Sequence, residues 1–110
     1  MKIINREEFL KMPENTVYAD YEPCWFGPIS IKGETVGNDF LVQQIADSIA
    51  ANDSGEFADK LEEAKNTGKS VEMDFDIEGR DGMFEDNQLF AVYERRDIDY
   101  LINRLERCLD

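Results

Sequence analysis

Eight consecutive residues alternate without exception between apolar and acidic: Val71, Met73, Phe75 and Ile77 against Glu72, Asp74, Asp76 and Glu78. A period of two marks a strand with one face on a core and the other in water, so this octet predicts a β-strand whose outer face carries four carboxylates. Along such a strand the carboxylates stand about 6.6 to 6.8 Å apart. Coulomb's law in water then gives about 0.6 kcal/mol of repulsion per neighbouring pair, roughly 2 kcal/mol for the row before salt screens it. A folded domain tolerates that cost.

The row belongs to a wider imbalance, with 25 acidic residues against 12 basic ones for a net charge of −13. Residues 70–94 carry −7 of it with Arg80 as their one cation, whereas residues 95–110 are neutral. Apolar residues make up 42% of the chain and aromatics 11%, too many for a disordered acidic tail. A chain of 110 residues has room for one domain, so 1–110 is read as a single acidic unit. Its surface repels phosphate backbones and anionic lipid headgroups, which argues against direct nucleic-acid or membrane binding.

The start of the chain turns acidic at Glu7 and Glu8 before any signal-like apolar run, and no stretch approaches the roughly 18 apolar residues of a membrane span. A cytoplasmic location is expected, with Cys24 and Cys108 as thiols. The absence of histidine removes the commonest general base and metal ligand near neutral pH, which excludes zinc sites and Ser/His or Cys/His nucleophile pairs. Carboxylate-only chemistry survives, but among 25 acidic residues a suitably spaced pair arises by chance. No enzyme and no cofactor are expected. Cys24 has no basic neighbour to lower its pKa, and Cys108, on an apolar helix face, reads as a buried small hydrophobe.

Local signals place the remaining elements. Asn5 and Glu8 have capping-box spacing ahead of Phe9 and Leu10, and Pro13 follows, giving a short helix over residues 6–11. Residues 16–22 and 29–32 alternate as strands, joined by the apolar segment Pro23 to Pro28, whose Trp25 and Phe26 are expected at the core or its edge. Residues 39–50 leave two readings open: Leu41, Ile45 and Ile49 recur at helical spacing, while Phe40-Leu41-Val42 suits a strand. Asp53 and Glu56 open a helix carrying Phe57, Leu61 and Ala64 that ends at Gly68. Gly79-Arg80-Asp81-Gly82 reads as a turn, and the run from Leu89 as the strand pairing with 71–78. Ile98, Leu101, Ile102, Leu105, Cys108 and Leu109 share one face of a terminal helix. The sum is an α+β fold: a small antiparallel sheet packed by two longer helices, with a short N-terminal helix.

The acidic region reads either as a solubilising solvated face or as a functional one, and two functions suit it. Glu72, Asp74, Asp76 and Glu78, extended by Asp81, Glu85 and Asp86, would fit a basic groove on a partner protein that normally receives phosphates. Alternatively, Asp74, Asp76, Glu78 and Gly79 followed by Glu85 approach the spacing of a calcium-binding EF-hand loop. The preceding alternation, where an EF-hand needs an entering helix, opposes that second reading, and no metal site is assigned. A structural or assembly role, with Cys24 to Pro28 as the contact, is a third alternative.

Several strings carry a resemblance: Arg6-Glu7-Glu8-Phe9-Leu10, Ile31-Lys32-Gly33-Glu34, Asn52-Asp53-Ser54-Gly55-Glu56-Phe57, and Gly79-Arg80-Asp81-Gly82-Met83-Phe84 leading into Gln88-Leu89-Phe90-Ala91-Val92-Tyr93-Glu94. Together they resemble small acidic proteins of unassigned function encoded by bacteriophages and prophages. The resemblance implies a shared fold and an origin in a host cell's cytoplasm, and by analogy of charge a host-defence inhibitor of the anti-CRISPR or anti-restriction type. It brings no catalytic or binding residues with it.

Overall fold

The computed structural model describes residues 1–83 and 85–110. In chain order its elements are β1 (Lys2–Asn5), α1 (Arg6–Leu10), β2 (Thr16–Glu22), β3 (Trp25–Phe26), β4 (Ser30–Val36), β5 (Asp39–Gln43), α2 (Ser54–Thr67), β6 (Gly79–Arg80), β7 (Leu89–Val92) and α3 (Arg95–Glu106). Among the described residues, seven strands form one antiparallel sheet in the order β1-β7-β2-β4-β5-β6, with β3 folded back on β2.

The core lies where α1 meets the middle of this sheet. The Asn5 side chain accepts a hydrogen bond from the Glu8 amide at 2.9 Å, which starts α1 as its spacing predicts. That cap turns Phe9 onto the sheet, where its ring stacks on Phe90 at 3.9 Å and meets Tyr18 and Phe40 at 4.6 and 5.0 Å. Val92 completes the buried cluster, with Ile4, Leu10, Met12 and Val42 around it. Burying such rings contributes on the order of 2 to 3 kcal/mol each. In β4, a one-residue register shift between Lys32 and Thr35 frees Gly33 from the β5 ladder. A Cβ at Gly33 would sit 2.9 Å from the Leu41 Cβ, so only glycine lets the two backbones approach this closely.

The expected α+β packing is overturned. A seven-stranded sheet organises the molecule, and the helix that covers it is the five-residue α1; α2 and α3 bury no residue. The physical reason is that the inner face is already filled by Phe9 and the aromatic residues of the strands themselves. The stripes Phe57/Leu61/Ala64 and Ile98 to Leu109 meet no remaining apolar surface large enough to hold them.

The octet that predicts a strand also departs from expectation. Between residues 71 and 78 the backbone forms one isolated bridge, Met73 to Ile49 outside the named strands, with hydrogen bonds from the Ala50 amide to Glu72 and from the Asp74 amide to Ser48, and its tie to the sheet is the Gln43 side chain of β5 donating to the Asp76 carbonyl at 3.3 Å. The ladder resumes at β6, which pairs Gly79 with Val42 and Arg80 with Leu41, so the expected turn is the strand. Three forces explain the exchange. The Asp74 side chain accepts from the Asp76 amide at 2.8 Å, a local bond that competes with a ladder. The carboxylate row repels itself, and no element covers the apolar side, leaving Phe75 about half exposed. The expected partner strand is elsewhere: β7 lies between β1 and β2.

The open segment 39–50 is resolved as β5 followed by irregular backbone that turns at Ala46, where φ is 94°. Trp25 and Phe26, expected at the core or its edge, stand 51% and 54% exposed at the β2–β3 hairpin, and Cys108, expected to be buried, is exposed.

Candidate functional site

Every strand of the site region is tied to one buried carboxylate. Asp39, at the start of β5 and 1% exposed, accepts from Arg80 Nε at 3.0 Å and from the Gly82 amide at 3.0 Å. Arg6, buried at the start of α1, approaches Asp39 at 3.8 Å and Asp81 at 3.6 Å. Its guanidinium also donates to the Asn38 carbonyl at 2.7 Å and to the Gln88 side chain at 2.9 Å, and Gln88 in turn donates to Asp20 at 3.0 Å. The network fastens residues 80–88 to the sheet at both ends.

The titration of these groups follows from their surroundings. Burial pushes the Asp39 carboxyl up, but bonds from the Phe40 and Gly82 amides and from Arg80 outweigh it and hold the group below the ordinary aspartate range. Asp20 goes the other way, raised by burial and then by the charge of Asp81. Burial, with the charges of Asp20 and Asp81, also raises the Tyr18 hydroxyl. Lys32 is wholly buried, and that burial lowers its pKa. Its ammonium donates to the Gly33 carbonyl at 3.0 Å and the Thr35 hydroxyl at 2.6 Å.

These bonds decide which charges face solvent. Arg6 and Lys32 are turned inward and the half-exposed Arg80 is held by Asp39, while Lys60 and Lys69 line one hollow with Glu72 without an ion pair to it. Among the described residues, Glu72, Asp74, Asp76, Glu78, Glu85 and Asp86 make no ion pair. Five are exposed and Asp74 is partly buried. Asp81 leaves the expected set, because its side chain is 10% exposed and faces Arg6. Of the remaining six, Glu72 to Glu78 precede β6 and Glu85 and Asp86 follow it; Glu72 lines a hollow against α2, Glu85 one with Tyr21 and Trp25, and Asp86 one with Arg6 and Glu7, so the regular β-row that alternation predicts is not formed. Glu78 folds back over the β4 bulge, its Oε2 lying 2.6 Å from where a Gly33 Cβ would stand.

Sequence reasoning missed the apolar companion of this surface. A hollow of about 370 Å³ beside Glu85 is lined by Tyr21, Trp25 and Met83 together with Asp20 and Glu22. The signal lay in the tightness of Pro23 to Pro28: two residues of strand between prolines leave Trp25 and Phe26 no room to turn inward.

The EF-hand spacing is not realised as a site. Asp74, Asp76, Glu78 and Glu85 do not converge, and among the described residues no group of three or more Asp, Glu or Cys side chains is placed to hold a metal ion. No helix among the described residues is long and apolar enough to cross a membrane. Compared with protein-family models, curated proteins and solved structures, the chain matches none.

Proposed function

We propose that this protein acts without chemistry, by binding a protein partner whose basic surface normally receives nucleic acid. One observation carries the reading: six carboxylates within residues 72–86, Glu72, Asp74, Asp76, Glu78, Glu85 and Asp86, make no ion pair among the described residues, while the neighbouring arginines are bound to Asp39 and Asp81. Such a surface attracts Lys and Arg side chains at long range, and the half-exposed Trp25 and Met83 beside it supply the apolar anchoring that charge alone lacks. On that reading the protein works in a host's cytoplasm against a nucleic-acid-handling defence complex.

The test is capture of the partner from host lysate, followed by measurement with the purified pair. Affinity is expected to fall at least about tenfold between low and physiological salt, as screening requires of exposed charges. Duplex DNA should displace the protein from its partner. The variant combining Glu72→Gln, Asp74→Asn, Asp76→Asn and Glu78→Gln should fold and lose binding. Salt-independent affinity, or full binding by that variant, overturns the proposal.

A further inference from the structure

The helix α3 leaves the sheet at the end of β7 and buries none of its residues, yet it is the most amphipathic segment of the chain. Ile102, Leu105 and Leu109 are 47%, 58% and 85% exposed, with Ile98, Leu101 and Cys108 on the same face. A helix of 12 residues is marginal in water by itself and depends on packing of its apolar face. The rest of the molecule partly covers Ile98 and Leu101 but leaves Ile102, Leu105 and Leu109 open.

We propose that the occupant of this face is a second copy of the chain, its α3 lying antiparallel to the first across a two-fold axis. Charge argues for a copy of itself. The rest of the molecule holds all of the −13, so two copies repel wherever those surfaces meet; residues 95–110 are neutral and are where they can approach. The arrangement of charge argues for the antiparallel sense. Asp97 and Arg104, seven residues apart, lie on the same flank of the apolar stripe, one at each end of the helix. An antiparallel pair brings Arg104 of each copy to Asp97 of the other, whose carboxylate already holds the Met1 ammonium at 2.6 Å, and sets the helix dipoles in opposition. A parallel pair leaves Arg104 with no acidic group across the seam.

The area argues for the same register. The exposed stripe offers on the order of 500 Å² per copy, less than the roughly 800 Å² a side of a standard interface. The antiparallel pairing carries Leu105 and Leu109 of one copy past the start of α3 in the other. A hollow of about 330 Å³ lies there, lined by Met1, Phe26, Tyr93 and Asp97. Filling it with the leucines supplies area that the helices alone lack.

Sedimentation equilibrium of the full chain under reducing conditions tests this. The wild-type chain is expected to be a dimer. Leu105→Asp should be monomeric, with the near-ultraviolet signal of the Phe9/Tyr18/Phe40/Phe90 cluster unchanged. Arg104→Glu, at an exposed position that does not threaten the fold, should weaken the dimer about tenfold at low salt, because two-fold symmetry applies the reversal twice. A monomeric wild-type chain, or a dimer indifferent to both substitutions, overturns the proposal and leaves the stripe to a different protein.

Discussion

At the scale of single residues, Asp39 does the most. It is a buried carboxylate whose partners come from β6 and the following loop at 3.0 Å, with Arg6 of α1 nearby, so it joins segments far apart in the chain. Replacing it by Asn leaves Arg6 with Asp81 as its carboxylate partner and takes the anionic acceptor from Arg80 and the Gly82 amide. Losing charged hydrogen bonds of this kind costs about 1.5 to 3 kcal/mol. Urea unfolding of Asp39→Asn is expected to show a loss of that size, and a loss below about 1 kcal/mol would contradict the role assigned to it. The pH dependence follows from the same group. The folded state holds the Asp39 pKa below its unfolded value of 3.8, so the stabilisation is complete above that value and is lost as pH falls through the folded pKa. Asp20, with a raised pKa, works in the opposite sense, because the folded state takes up its proton more readily as pH falls. Below about pH 4 the wild-type chain should therefore lose stability more steeply than Asp39→Asn. Parallel acid limbs for the two would refute the assignment.

At the scale of elements, legibility tracked whether a segment's structure is local. The α2 cap is the clearest case: Asp53 accepts from the Glu56 amide at 2.8 Å and Gly68 closes the helix in the left-handed conformation at φ 74°, as their spacing announces. Both signals act within one or two helical turns. Because α2 buries no residue, its cap should matter locally: Asp53→Ala is expected to speed amide exchange across 54–67 by about 1 kcal/mol of protection while leaving β2 and β7 unchanged. Slowed or unchanged exchange in α2 would show that something else fixes this helix. The octet 71–78 is the counter-example. Alternation reports what a strand would need, a facing layer and a continuous partner; Met73 finds the isolated bridge to Ile49, and Met73, Phe75 and Ile77 stay about half exposed. Gly79 and Arg80 carry a turn composition, yet Arg80 is drawn into the sheet by Asp39, a residue 41 positions away that no local window includes. The six carboxylates were legible as charge; that Asp81 would turn inward and that Trp25 and Met83 would stand beside the rest depended on the tertiary network.

At the scale of the whole molecule, the division of charge is the organising fact. Arg6 and Lys32 are inside, Arg80 is bound to Asp39, the surface beside β6 is negative, and α3 is neutral and apolar. A chain arranged in this way offers a neutral helix to a copy of itself and a negative surface to a basic partner, the two contacts adjoining at the β2–β3 hairpin, where Phe26 lines one hollow and Trp25 the other. The local claim within this picture is that unneutralised charge at residues 72–86, not acidity in general, makes the binding surface. Titration of the isotopically labelled chain with a short oligo-arginine peptide, followed by amide chemical shifts, tests it directly. Shifts are predicted to concentrate at Glu72, Asp74, Asp76, Glu78, Glu85 and Asp86 and around Trp25, and to be small across Asp59, Glu62 and Glu63 of α2. Shifts spread evenly over every exposed carboxylate would contradict the account.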